Sequence, residues 1–196
     1  MNSLRRLRAG LVLALAGLGG AAQAQSVIQS SDDIIDEVRI GLHAHAASDY
    51  FWPYHVVEWD MTEIGDVSFD VLFTSPRIDV FRWIGAPRPE IGVTANLMGD
   101  ESLLHAGLTW QLPIFDTGLY LEGSLGGAIH TGYLTDAPHD GRNLGCRVNF
   151  YERFGAGMNV TENLTATLTY EHTSNWEMCE DNDGLSNIGL RVGWKF

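Results

Sequence analysis

The chain has 196 residues and is acidic, with 12 Lys+Arg against 25 Asp+Glu and a formal net charge of −13. That balance excludes nucleic acid as a partner, because phosphate binding runs on clustered basic side chains, and it speaks against simple electrostatic binding to an anionic lipid surface. After the first 24 residues no apolar run approaches the ~20 residues a spanning helix needs, so a helical membrane span is excluded as well.

Taken in order, the chain opens with a targeting segment. Arg5, Arg6 and Arg8 make a basic start, Leu11 to Leu18 a short apolar run, and Ala22-Gln23-Ala24 a small-residue cleavage site. Residues 1–24 therefore read as a signal peptide, residues 25–36 as a polar lead-in, and residues 37–196 as one all-β domain. In that domain apolar and polar residues alternate with period two. Ile40, Leu42, Ala44 and Ala46 alternate with Arg39, Gly41, His43 and His45, and Phe69, Val71 and Phe73 with Ser68 and Asp70. Ile91 to Leu97, Ala106 to Leu112 and Leu119 to Ile129 continue the pattern, as do Leu144 to Phe150, Leu164 to Tyr170 and Ile188 to Phe196. Eight such segments of about ten residues are the signature of an eight-stranded antiparallel transmembrane β-barrel, apolar outside and polar inside. Lipid forces closure, since an open sheet edge cannot be satisfied there. Phe196, on the outward parity of the last strand, resembles the signal read by the barrel assembly machinery of the outer membrane.

Two stretches fit less simply. Glu152 falls on the outward parity of the sixth strand, which predicts a bulge or an exit into the headgroup zone. Ser75 to Pro89 is long for a periplasmic turn and has room for a short helix. The inward charges Arg39, Asp70, Glu122, Arg147, Glu171, Arg191 and Lys195 carry both signs and predict an interior ion-pair network. His43 with His45, and His105 with His130, share the inward face, where ordinary lumen polarity is the simpler reading than a metal cluster. No cofactor is expected.

Both termini of an even-stranded barrel lie at one end, so the seventh strand finishes at the outer rim. There Cys146 and Cys179 come within plausible reach; an exported chain permits a disulfide, and the alternative is two free thiols. At that same end stand His172 and Ser174, two apart and hence on one face, the outward one. A serine needs a base to take its proton, and neutral histidine is the usual one, so the pair can be an esterase dyad or two polar rim residues. No G-x-S-x-G elbow is present, which excludes an α/β-hydrolase.

The H-x-S-N run at His172, Ser174 and Asn175 is followed by Asn182-Asp183-Gly184 and a last strand ending in an aromatic residue. Together with Arg88-Pro89-Glu90-Ile91-Gly92, Gly107-Leu108-Thr109-Trp110 and Gly126 to Gly132, this resembles the lipid A 3-O-deacylase family of outer-membrane barrels over residues 87–196. The resemblance implies Ser174 as nucleophile, His172 as base, Asn175 helping to hold the oxyanion, lipopolysaccharide in the outer leaflet as substrate, and a chain that can pair as a homodimer. It also implies an acid two residues after the loop glycine, where this chain has Ser186. Asp183, Glu177, Glu180 or Asp181 can substitute for it; Ser186 can orient the histidine weakly; or activity is lost and a structural barrel remains. A phospholipase using the same dyad is the other enzymatic alternative.

Overall fold

The computed structural model describes residues 34–48, 53, 59–62, 64–138 and 141–196, so the signal segment and residues 25–33 of the lead-in lie outside the described residues. Eight strands close into a barrel in which each pairs antiparallel with its chain neighbours and β1 pairs with β8. They are β1 (Ile35–Ala44), β2 (Ile64–Phe73), β3 (Arg88–Asn96), β4 (Leu103–Pro113), β5 (Leu119–His130), β6 (Val148–Asn159), β7 (Leu164–Ser174) and β8 (Leu185–Lys195). At 9 to 12 residues each, they are as long as tilted strands must be to cross a hydrocarbon layer.

The alternation sorts side chains as the sequence predicts. Ile40, Leu42, Leu104, Leu121, Leu125, Leu168 and Leu190 are exposed on the outside. Arg39, Arg153, Arg191, Glu37, Glu171 and Asp70 are fully buried inside. Arg39 bonds Glu37 and Glu122 at 2.9 and 2.7 Å, Arg153 bonds Glu90 at 2.5 Å, and Arg191 bonds Asp70 and Glu171 at 2.8 and 2.6 Å. Burial of an arginine is tolerable only with such partners, and the pairs join opposite walls of the lumen into a network; of the charges expected in it, Arg147 instead bonds the His130 and Gly132 carbonyls and Lys195 the Asn159 side chain. The interior histidines are held in separate bonds, His43 to Ser68 Oγ at 2.9 Å and His105 to Asp70 at 3.1 Å.

Three boundaries differ from the alternation. β1 begins at Ile35, inside the expected lead-in. β6 begins at Val148 rather than Leu144, because residues 144–147 turn away to meet the last connection at the far rim. His45 lies beyond the end of β1, not on its inward face; its ring bridges Asp66 at 3.0 Å and Glu101 at 3.1 Å. The long turn after β2 contains the expected short helix, α1 (Asp79–Trp83). No bulge occurs at Glu152: the register runs unbroken through Leu125↔Glu152 on one side and Glu152↔His172 on the other.

Candidate active site

Strand pairing builds the site at the rim away from the termini. On the outward face β6 contributes Phe150, Glu152 and Phe154, β7 contributes Tyr170, His172 and Ser174, and β8 contributes Ser186 and Ile188. The register sets Ser174 beside Phe150, and sets His172 between Glu152 and Ser186. His172 Nδ1 and Ser186 Oγ are 2.7 Å apart. With Nδ1–H donating to that hydroxyl, Nε2 is the unprotonated nitrogen, which is the tautomer a general base requires. His172 and Ser174 share the face and make no hydrogen bond to each other; unliganded dyads commonly tighten only on the substrate.

The face is more sheltered than strand parity predicts. His172 is 6% exposed and Ser186 1%, while Ser174 is half-buried. Just below them Ala44, Tyr170 and Ile188, all outward-pointing, are buried under Ala47 and Trp59 of the connection between β1 and β2, with the Trp59 ring stacked on Tyr170 at 5.9 Å. Ala47 and Trp59 thus cover the outside of the barrel one row below the histidine. Ser174 and Phe150 mark the accessible side, where Trp176, 78% exposed, meets Phe150 edge-on at 6.0 Å.

Two connections at this rim, residues 131–147 and 175–184, are clasped together. Cys146 and Cys179 form a disulfide with Cα atoms 5.6 Å apart, so the bridged alternative holds. Asn143 N donates to Asp183 Oδ2 at 2.7 Å, Asp183 N donates to Asn143 O at 3.0 Å, and Arg142 donates to Gly184 O at 3.1 Å. Gly184 has φ +67°, and a Cβ there would stand 3.1 Å from His172 Cε1, so only glycine brings the loop this close to the ring. Gly145, at φ +72°, likewise lies against Asp181 O and the Asn175 amide.

Asn175 occupies a place that the oxyanion expectation does not describe. Its side chain is fully buried, and Nδ2 donates to Leu144 O at 2.9 Å and to Asp181 O at 2.6 Å. Both amide hydrogens are thereby engaged in holding the loops. Asn182 stands closer to the chemistry than sequence reasoning places it. Its Oδ1 accepts the Asn175 N–H at 2.8 Å, one residue from Ser174, and its Nδ2 makes no hydrogen bond among the described residues. The Asn-Asp-Gly run at residues 182–184 was the signal that could have found it. Of the acids proposed to replace the missing one, Asp183 is turned to Asn143, and Glu177 and Glu180 are solvent-exposed. Sequence reasoning treated Glu152 as a poor fit; the register places it directly opposite His172.

The comparisons with known proteins give the family and the fold. The model of the lipid A 3-O-deacylase (PagL) family matches residues 71–195. The crystal structure of the outer membrane enzyme PagL superposes with a TM-score of 0.55 at 16% identity, covering 82% of this chain and 99% of that one. The N-terminal β-barrel domain of Pseudomonas aeruginosa OprF gives 0.49 at 12% identity, over 84% and 98% of the two chains. Neisserial surface protein A gives 0.49 at 11%, over 83% and 96%. At these identities the structural likeness is one of fold. No curated protein matches the sequence.

Proposed function

The chain belongs to the lipid A 3-O-deacylase family and is a barrel of the bacterial outer membrane, and from that premise we propose that it is a serine esterase releasing a 3-hydroxyacyl chain from lipid A in the outer leaflet. The observation that carries this reading is the row Ser174, His172 and Ser186 on the outward face, with Ser186 Oγ 2.7 Å from His172 Nδ1. A substrate whose ester lies at headgroup depth meets that row without leaving the leaflet.

The chemistry follows from the arrangement. Ser174 Oγ attacks the ester carbonyl at the 3-position and its proton passes to His172 Nε2. The tetrahedral oxyanion is met by the Asn182 amide, whose N–H groups are available, rather than by the engaged Asn175 side chain. The intermediate collapses as the bond to the sugar oxygen breaks and His172 delivers the proton to that oxygen. Water then attacks the acyl-enzyme with His172 again as base, which releases the 3-hydroxy fatty acid and restores Ser174. Ser186 orients the ring in place of the acid that the family resemblance implies.

Mass spectrometry of lipid A from cells making the protein tests the reading. The intact chain should remove one 3-hydroxyacyl mass, and Ser174→Ala and His172→Ala should each abolish this while the barrel keeps its heat-modifiable gel mobility. Unchanged lipid A beside newly formed lysophospholipid would move the dyad to phospholipid; no product from either lipid would leave a non-enzymatic barrel.

A further inference from the structure

Glu152 is placed where a carboxylate has little to gain by itself. It projects from the outward face of β6 between Phe150 and Phe154, on the side of the barrel that faces lipid. Its in-register neighbour on β5 is Leu125, which is exposed and apolar. Three of its four neighbours on that face therefore offer no polar atom, and Oε2 is buried without a hydrogen-bond partner among the described residues. A carboxylate in such surroundings loses hydration without compensation from them. The fourth neighbour is His172, directly opposite on β7. Side chains so paired have Cβ atoms only about 4.5–5.5 Å apart.

The proton taken from Ser174 leaves a positive charge on His172. Ser186 can hold the ring but carries no charge to balance it. Arg142, bonded to Gly184 O beside the ring, adds a second positive charge nearby. Asp183 is committed to the Asn143 backbone. In many triads one carboxylate both orients the imidazole and stabilises the imidazolium. We propose that these duties are divided here: Ser186 orients His172 from β8, and Glu152 supplies the balancing negative charge from β6. Glu152 is thus a positioning residue acting through His172. It takes no proton; the Ser174 proton stays on His172 Nε2 until it reaches the departing oxygen. This inference rests on the reading of His172 and Ser174 as the reactive pair.

The test uses a lipophilic fluorophosphonate on the full barrel in micelles. In the labelling step a Ser174 Oγ–P bond forms, the P–F bond breaks, and the serine proton passes through His172, so the rate reports activation of Ser174 without lipid A. Glu152→Gln should label slower by on the order of tenfold or more. Glu152→Leu should do the same while folding at least as well, because leucine suits the lipid face. Adding Ser186→Glu to Glu152→Gln should restore the rate, since a carboxylate at position 186 would reach Nδ1 directly; a merely structural role of Glu152 gives no such rescue. Equal labelling of wild type and Glu152→Leu overturns the inference, as does absence of rescue in a folded double variant or absence of labelling in the wild type. Lipid A mass spectra from the same strains keep the two readings apart. Glu152-dependent labelling with unchanged lipid A retains the charge role and removes the deacylase; Glu152-independent labelling with deacylated lipid A does the reverse.

Discussion

Asn175 and Asn182 differ in what their amides are bonded to: Asn175 holds loops together, and Asn182 is the amide proposed to meet the oxyanion. Asn175 points inward at the strand end and spends its amide on Leu144 O and Asp181 O. Removing it as Asn175→Ala leaves Asp181 O without its donor, at about 1–3 kcal/mol, while Leu144 O keeps the Asn149 amide and the Cys146 N–H. The expected outcome is faster hydrogen exchange in residues 175–184 and lower turnover, with the barrel's gel mobility unchanged. Asn182 is the sharper test, because Asn182→Asp keeps the acceptor for the Asn175 N–H and exchanges the N–H donors for negative charge. If those donors meet the oxyanion, turnover should fall by about 10²–10³ with little change in KM. Wild-type turnover in micelles would instead assign the oxyanion to backbone N–H groups of the turn after Ser174.

At the scale of elements, β6 to β8 carry the row of candidate residues and the two clasped connections lie beside it at the rim. The Cys146–Cys179 bridge closes a sequence separation of 33 residues, and a link of that size restricts the unfolded chain by about 3–4 kcal/mol in the chain-entropy account. Reduction, or the pair Cys146→Ala and Cys179→Ala, should leave the barrel folded, make residues 131–147 and 175–184 sensitive to protease, and slow deacylation. On the same rim, burial works against a charged His45, but its hydrogen bonds to Asp66 and Glu101 prevail and raise its pKa to about 9. Because the folded value lies above the unfolded one of about 6.5, the stabilisation is complete below pH 6.5 and is lost as pH rises through 9. Hydrogen exchange at residues 97–102 should therefore accelerate between those values beyond the intrinsic rate increase, and His45→Gln should remove the extra acceleration. The strands were legible in the sequence because period two survives wherever one face meets lipid: Leu121, Leu125 and Ile129 could stand only on one side. That His172 and Ser174 share the outward face was legible from their spacing. The burial of the outward-pointing Tyr170 and Ile188 was not, since it depends on Ala47 and Trp59 packing over them. Nor was the position of Asn182, which is set by a contact within the last connection, or the opposition of Glu152 and His172, which is set by register between two strands.

In the molecule as a whole, stability is concentrated inside and chemistry outside, on opposite faces of the same strands. β6 makes this concrete: Glu152 faces outward, and the next residue, Arg153, is fully buried in the lumen. Arg153 bonds Glu90 at 2.5 Å and the Tyr151 hydroxyl at 3.3 Å, and stands 3.5 Å from Asp70. Asp70 keeps Arg191 and His105, and Glu90 keeps the Thr109 hydroxyl, if Arg153 is removed. Even so, Arg153→Met strands a buried carboxylate charge, and breaking one side of a buried pair costs about 3–5 kcal/mol. The midpoint of the heat-driven shift in gel mobility should fall accordingly. At temperatures where both barrels are folded, Ser174 should label at the wild-type rate, because β6 keeps its register and Glu152 its place beside His172. A folded Arg153→Met barrel that labels slowly would show instead that the interior network sets the strand positions on which the outer row depends, and the separation of the two faces would fail.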